Sequence, residues 1–244
     1  MNKSYIYEQK SILKTTKLWL NPKDAASLGN PANDDLISQW DGLTGGSFTN
    51  GTPANQPIYK NSGINGLPSI KFDGVNDDLS GSFTALNGAN SHTTFAVFSK
   101  PTDNQGVILV NNDTFLTGAG LYMTNNTSPN GYRYLHRMPL GNSGGDNLSV
   151  GTMPINTPQI MTAIRDANAG TQEIFVNGIS QGSISSLISG AFNGLANLTI
   201  GSNSGTVFYD GYIGEIIIFD RALSVSQRMA IEKYLSSGWN INLT

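Results

Sequence analysis

The feature that most constrains the fold is the segment DGYIGEIIIFDRALS, which runs from Asp210 to Ser224 near the C-terminus. It contains a turn, an apolar run typical of a deeply buried strand, and an Asp-Arg pair that ends the strand. Ser224 and Gln227 then have the spacing of a capping box, which predicts the start of a helix that Gly238 ends. A buried strand followed by one short helix predicts an all-β sandwich that closes with a C-terminal helix.

Short apolar segments separated by turn-forming pairs recur along the rest of the chain. The segments 94–98 and 106–110 are apolar on both faces, which is typical of central strands. The pair at 177–178 is Asn-Gly between apolar residues and predicts a type I′ hairpin. Residues 45–57 are rich in Gly, Thr, Asn and Pro and predict a long loop. Because no helical periodicity lies between these strands, the pattern favours an antiparallel sandwich over alternating strands and helices.

Composition excludes several classes of function. The chain has 244 residues, 13% charged residues, a net charge of −3 and no cysteine. Disulfides and thiolate chemistry are therefore excluded. The sequence also lacks the concentration of Lys and Arg that a nucleic-acid-binding surface needs. No apolar run approaches the roughly 18 residues that a membrane-spanning helix needs, so we expect no membrane insertion. The basic residues are scattered except for a loose N-terminal set: Lys3, Lys10, Lys14 and Lys17.

Five segments in order resemble a known family. They are 65–79 (NGLPSIKFDGVNDDL), 95–98 (FAVF), 175–178 (FVNG), 198–201 (LTIG) and 211–224 (GYIGEIIIFDRALS). Together they resemble the LamG-like (laminin G type 3) branch of the concanavalin A-like lectin/glucanase superfamily, over roughly residues 18 to 241. This resemblance implies a concanavalin A-like jelly roll of two antiparallel sheets. We accordingly predict a domain over 18–244, preceded by an N-terminal arm or docking segment over 1–17.

The carboxylates argue against catalysis. A retaining glycosidase needs two carboxyl groups about 5 Å apart, which hydrolases of the resembled superfamily carry as Glu-x-Asp-x-Glu. The glutamates of this chain are Glu8, Glu173, Glu215 and Glu232, and none has an acidic partner two or four residues away. We expect Glu215 to be structural, either closing its strand or pairing with Arg221 or a backbone amide. Neither of the two histidines lies near a Gly-x-Ser-x-Gly nucleophile motif or has the spacing of a metal ligand. Taken with the glutamates, this predicts that the chain is not an enzyme.

An oxygen-rich cluster at 73–78 is a candidate metal site. Asp73, Asn76, Asp77 and Asp78 offer the oxygen ligands that calcium prefers, and the resemblance implies calcium because relatives often bind it at loops. The spacing differs from that of an EF-hand, and the alternative is an Asx-turn between two strands.

An alternating aromatic segment is a candidate ligand platform. Tyr132, Tyr134 and His136 would lie on one face of a strand, with Arg133 and Arg137 on the other. Aromatic faces stack on sugar rings, so these three residues are predicted to bind a glycan. The alternative is a strand whose aromatic face packs in the core.

The predicted function is a non-enzymatic surface module that binds a glycan or cell-surface polysaccharide. A lone lectin-like domain, the absence of cysteine and no recognisable secretory signal in residues 1–20 favour a phage virion protein, either decorative or adhesive. Residues 1–17 would then dock on other virion proteins, and homo-oligomers are a further expectation. The alternatives are a secreted cellular carbohydrate-binding or adhesion module on the outside of a cell and, third, a divergent glycoside hydrolase.

Overall fold

The computed structural model describes residues 9–102, 105–111, 120–125, 131–137, 145–187, 196–203 and 205–244. A helical segment that includes residues 9–13 is α1, and the C-terminal helix α2 spans Val225–Trp239. Short 3-10 helices occur at Ala25–Leu28 and Pro53–Asn55. The strands are β1 Leu18–Leu20, β2 Gln39–Asp41, β3 Ser47–Thr49, β4 Ile58–Ile64, β5 Leu67–Asp73, β6 Leu79–Ser82, β7 His92–Ser99, β8 Gly106–Asn111, β9 Gly120–Asn125, β10 Tyr132–Arg137, β11 Gly145–Val150, β12 Gln159–Asp166, β13 Thr171–Val176, β14 Ile179–Ser185, β15 Asn197–Ile200 and β16 Asp210–Phe219.

These strands form two antiparallel sheets. Sheet A has the order β14-β13-β12-β7-β16-β5-β4, and β1 pairs with the second half of β16. Sheet B has the order β11-β10-β9-β8-β15-β6-β3-β2. The predicted class, a two-sheet antiparallel jelly roll with one C-terminal helix, is confirmed. The predicted hairpin at 177–178 is also confirmed, since Asn177 and Gly178 have φ values of 48° and 87° between paired strands.

The space between the sheets holds the main hydrophobic core. Its largest fully buried side chains are Trp40, Phe48, Phe72, Phe98 and Tyr209. Phe72 and Tyr209 meet edge to face with ring centroids 6.3 Å apart, a geometry that aromatic pairs favour. Each such side chain contributes about 1.5–3 kcal/mol by leaving water. This core is formed by the inward-facing apolar side chains of both sheets.

The outer face of sheet A is covered by helices. Ile217 and Phe219 on β16 pack with Ile231, Leu235 and Trp239 of α2 in a second buried cluster, to which α1 adds Ile12 and Leu13. Every residue of β7 except the last is buried, as the sequence predicts for a central strand. Leu235 and Trp239 thereby attach α2 to the sandwich. The central strands β7 and β16 of sheet A are therefore buried on both faces.

The N-terminus of α2 agrees with the sequence prediction, and its C-terminus does not. Ser224 Oγ accepts from the Gln227 amide at 3.3 Å and the Gln227 side chain accepts from the Ser224 amide at 3.2 Å, so the capping box is confirmed. The predicted stop at Gly238 is wrong, because the helix continues to Trp239. Asn240 provides the left-handed C-cap instead, with φ 53°, a conformation that Asn tolerates better than most residues. In the described ranges, no helix is long and apolar enough to cross a membrane.

Residues 9–17 pack on the domain, although the sequence analysis assigns them to a separate arm. Gln9 Nε2 donates to the Ala230 carbonyl of α2 at 3.0 Å, and the Lys17 amide donates to the backbone of β16 at 2.8 Å. Residues 9–17 thus contact the domain; the boundary at 18 and the docking role of residues 1–17 stay predictions.

Where the structure describes it, the outer face of sheet B is polar, and its side chains on β2, β3, β6 and β11 are exposed. Thr49 stands in register with Gln39 on one neighbouring strand and with Ser80 on the other. Val207 covers the middle of the face by packing on Val110. The exposed side chains on this face are Gln39, Ser47, Thr49, Ser80, Ser82, Asn147 and Ser149. Of the two outer faces, that of sheet B is the one that meets solvent.

Gly214 on β16 is predicted to be required for the close approach of α2. A Cβ added there would lie 2.8 Å from Cη2 of the buried Trp239 ring. We expect Gly214→Ala to lower the free energy of unfolding by about 1–3 kcal/mol through overpacking, measured by urea denaturation. Gly51→Ala is the control, because nothing lies within 4 Å of its added methyl. Equal denaturation midpoints for the two variants would contradict this packing.

Candidate functional site

A bonded pair of polar side chains lies on the open face of sheet B. Arg133 Nε on β10 donates to Asn147 Oδ1 on β11 at 2.9 Å. Ser149, opposite Arg133 in the register, donates to the same oxygen at 3.5 Å. Because these bonds fix the orientation of the guanidinium and the amide, the pair presents oriented polar groups to solvent. A few such groups suffice to orient a ligand and select it.

The three residues of the predicted aromatic platform all lie on β10. Tyr132 is buried, and its hydroxyl donates to Gln159 Oε1 of sheet A at 2.6 Å. Burial raises the pKa of Tyr132 above its ordinary value. Tyr132 is therefore a core residue that joins the two sheets, which corrects its assignment to a ligand surface. The side chains of Tyr134 and His136 lie outside the described part of the chain, and their glycan contact stays a prediction.

Alternation along the sequence puts Arg133 on the strand face opposite Tyr132, and the predicted ligand surface is the tyrosine face. The structure turns Tyr132 inward, so Arg133 faces solvent. The signal that could have shown this is the segment that becomes β11, where apolar Leu148 and Val150 alternate with polar Asn147 and Ser149. That alternation predicts a half-buried strand, which the sequence analysis did not assign.

The predicted calcium cluster folds as a tight turn between β5 and β6. Asp73 Oδ1 accepts from the amides of Val75 at 2.8 Å and Asn76 at 3.1 Å. Asp77 Oδ2 in turn accepts from the Asp73 amide at 2.9 Å. These bonds are those of an Asx-turn, the alternative considered from the sequence. The turn holds Val75 in an exposed position, with 68% of its surface accessible.

Four carboxylates gather at this end of the sandwich, which we call the acidic end: Asp73, Asp77, Asp78 and Asp210. Asp78 is held by the Asn50 amide and the Ser202 hydroxyl, each at 2.8 Å. Asp210 stands opposite Asp73 in the β5–β16 register and accepts from a threonine hydroxyl at 3.0 Å. The acidic end is thus a network in which each carboxylate has a donor of its own.

The fit of calcium to this network is poor. In the described residues, no group of three or more His, Cys, Asp or Glu is arranged to hold a metal ion. Asp73 and Asp77 each use a carboxylate oxygen to accept a hydrogen bond from a backbone amide of their own turn. Calcium at Asp73, Asn76, Asp77 and Asp78 stays a prediction, and the arrangement favours the turn.

Asp77 is predicted to make stability depend on pH. Burial and, next, the charge of Asp73 raise the pKa of Asp77 to about 6. Because this value lies above that of the unfolded chain, the contribution of Asp77 to stability is complete at acidic pH and is lost as pH rises through about 6. Asp77→Asn keeps the acceptor for the Asp73 amide and removes the titration. Relative to this variant, we expect the wild type to lose on the order of 2 kcal/mol between pH 4 and pH 7.5 in urea denaturation. Parallel pH profiles would contradict this assignment.

Glu215 is sealed inside the protein and is not accessible to a substrate. Its side chain is 0% exposed. Oε1 accepts from Trp19 Nε1 at 2.6 Å and from the Tyr234 hydroxyl at 2.8 Å, while Oε2 accepts from Trp239 Nε1 at 2.8 Å. Lys23 Nζ lies 3.7 Å away. Burial raises the pKa of Glu215, although the charge of Lys23 and the three donors oppose the shift.

The structural role predicted for Glu215 agrees with this geometry, but the partners differ from those expected. Arg221 donates to the Thr15 hydroxyl instead, at 2.8 Å. Glu232, also buried, accepts from Thr162 at 2.9 Å and forms an ion pair with Arg228. Both buried glutamates therefore attach α2 or its neighbours to sheet A.

A buried ion pair at the other end of the sandwich was not predicted. Arg165 on β12 and Asp146 on β11 lie 3.1 Å apart, with side chains 1% and 4% exposed. Arg165 also donates to the Asn90 carbonyl. The pair joins sheet A to sheet B. Its members are 19 residues apart in the chain, so no local pattern could have shown it.

Glu215→Gln is predicted to destabilise the fold. The amide nitrogen of Gln would face an indole or phenol donor, leaving a buried donor without an acceptor at a cost of about 1–3 kcal/mol. The measurement is chemical denaturation followed by tryptophan fluorescence, since Trp19 and Trp239 both contact this carboxylate. The matched control is Glu173→Gln, whose partner Ser180 is on an exposed hairpin; we expect a change within about 0.5 kcal/mol. A stable Glu215→Gln protein would show that the donors do not need the charge.

Comparison with known proteins identifies the fold. A family model described as the concanavalin A-like lectin/glucanases superfamily, laminin G type 3, matches residues 73–227. No curated protein matches the chain.

Similar solved structures are binding domains. The chain resembles the binding domain of botulinum neurotoxin serotype D with a TM-score of 0.61 and 14% identity, covering 93% of this chain and 52% of that one. The chain thus spans about half the length of the toxin domain. It also resembles domain 4 of AbnA, a GH43 extracellular arabinanase from Geobacillus stearothermophilus, in complex with arabinotriose. That TM-score is 0.60 with 14% identity, covering 87% of this chain and 96% of that one. At these identities the likeness shows the fold.

Proposed function

The chain belongs to the laminin G type 3 family of the concanavalin A-like lectin/glucanases superfamily, and on that premise we propose that it is a non-enzymatic glycan-binding module. The observation that carries the proposal is the open polar face of sheet B with its oriented Arg133–Asn147 pair. The centre of the outer face of sheet A is closed to a ligand, because the helices pack on it. The solved domain 4 of the arabinanase, whose fold this chain shares, holds a sugar.

The absence of catalysis is part of the proposal. Glu215 and Glu232 are buried and hydrogen-bonded to neighbouring side chains. A glycosidase needs two carboxyl groups exposed to one sugar, about 5 Å or more apart. The buried positions of these two glutamates support binding without hydrolysis.

We place the module on the surface of a virion, as a phage decoration or tail adhesion protein. The support is the lectin-like domain in a chain without cysteine. A secreted cellular carbohydrate-binding or adhesion module is the alternative. Immunogold labelling of intact particles tests the virion setting, and labelling of cell envelopes alone would favour the alternative.

The outer face of sheet B is predicted to bind a neutral sugar. The experiment is a glycan array with purified protein, followed by titration of the best ligand. Arg133→Ala removes the guanidinium and frees Asn147, and we expect affinity to fall about tenfold or more, the effect of losing one hydrogen bond to a charged group. The matched control is Arg221→Ala, which removes an arginine bonded to a hydroxyl on the opposite side of the molecule.

Two outcomes would count against this surface. Equal affinities for wild type and Arg133→Ala would exclude the pair as a sugar contact. Binding that requires calcium and is lost in Asp73→Asn, but not in Arg133→Ala, would move the site to the acidic end. The array is therefore run with calcium and with a chelator.

A further inference from the structure

A cluster of basic side chains lies on the helical side of the molecule. Lys10 and Lys14 belong to α1 and the turn after it, and Lys17 enters β1. Arg221, which follows β16, joins them because its Nη2 donates to the Thr15 hydroxyl at 2.8 Å. We call these four residues, Lys10, Lys14, Lys17 and Arg221, the basic ridge. The sequence shows its three lysines, and only the fold adds the arginine.

The ridge carries more positive charge than its surroundings neutralise. Lys17 Nζ lies 3.1 Å from Asp220 Oδ2. Across the described part of the chain, Lys10 and Lys14 make no ion pair, and both are exposed. The guanidinium of Arg221 is bonded to a hydroxyl rather than to a carboxylate.

The spacing of the two free lysines costs stability. The Lys14 amide donates to the Lys10 carbonyl at 3.3 Å, so the two residues lie one helical turn apart and their side chains share a face. Like charges at this spacing repel each other. The whole chain carries a net charge of −3, so the local excess is not a general property of a basic protein. A partner that supplies negative charge would relieve the repulsion.

We propose that the basic ridge binds an anionic polysaccharide, one bearing carboxylate, sulfate or phosphate groups. Lysine ammonium groups are point charges on flexible stems, which suit a polymer whose anionic groups repeat along its length. Opposite charges across an interface also speed the encounter of two molecules. The choice of a polysaccharide over other polyanions rests on the proposed glycan-binding function.

The ridge and the open face of sheet B lie on opposite sides of the sandwich. Ile12 and Leu13 of α1 pack on the outer face of sheet A, whereas Arg133 and Asn147 lie on the outer face of sheet B. One module can therefore hold an anionic polymer on its helical side while the sheet B face remains free for a second glycan.

The test uses dextran sulfate as the probe and uncharged dextran as its blank, in biolayer interferometry at two salt concentrations. Lys10→Gln/Lys14→Gln is expected to weaken binding about 25-fold, at roughly fivefold for each cation removed from an anionic surface. The control Lys60→Gln removes a lysine of β4 that is already paired with Asp34, and its affinity should match the wild type. Unchanged melting temperatures exclude misfolding of the variants.

Three results would overturn the proposal: no binding of dextran sulfate, equal affinities for wild type and the double variant, or equally tight binding of poly-glutamate. The last would point to an acidic protein as partner. These outcomes are separate from those of the neutral-sugar array, because Arg133→Ala should leave dextran sulfate binding intact. A protein that binds dextran sulfate through the ridge and no neutral sugar would retain this inference and lose the sheet B site.

Discussion

The buried carboxylate of Glu215 is the interaction on which the outer layer of the protein depends. It lies on the central strand β16, and its oxygens accept from Trp19 of β1 and from Tyr234 and Trp239 of α2. Lys23 adds a positive charge at 3.7 Å and lies over the Trp239 ring at 4.3 Å. An isolated charge in the interior would be costly, so this carboxylate is stable only while both termini of the domain are in place.

That constraint decides which surface is left for binding. Because α1 and α2 pack on sheet A, the centre of its outer face is filled with apolar side chains. On sheet B, the outward-facing side chains of Thr49, Ser80 and Asn147 are exposed. The placement of a binding surface therefore follows from the packing of the termini rather than from any motif within the surface itself.

The parts of the fold that the sequence predicts are those with strong local patterns. The apolar run of β16 and the capping box at Ser224 each contain their signal within a few residues, and both are confirmed. The loop predicted for 45–57 contains β3, a strand of three residues with Phe48 as its one buried side chain. A strand with a single apolar residue has no measurable alternation, so β3 was missed.

The candidate site was harder to predict than the fold because it depends on which face of β10 turns inward. Alternation placed Tyr132 and Arg133 on opposite faces correctly, but it cannot say which face is the core. The hydrogen bond from Tyr132 to Gln159 crosses between the sheets and decides the matter. These two residues are 27 positions apart in the chain, so a local sequence pattern cannot predict their contact.

The acidic end and the basic ridge act independently of each other. They lie at the two ends of β16, which starts at Asp210 and is followed by Arg221. A strand of 10 residues spans about 33 Å at the usual rise per residue, and the Debye length at physiological salt is about 8 Å. The carboxylates at one end therefore cannot cancel the ammonium groups at the other. Added salt should weaken contacts made by the ridge, whereas hydrogen bonds from the largely uncharged face of sheet B to a neutral sugar should change little, so ionic strength distinguishes the two surfaces in the intact protein.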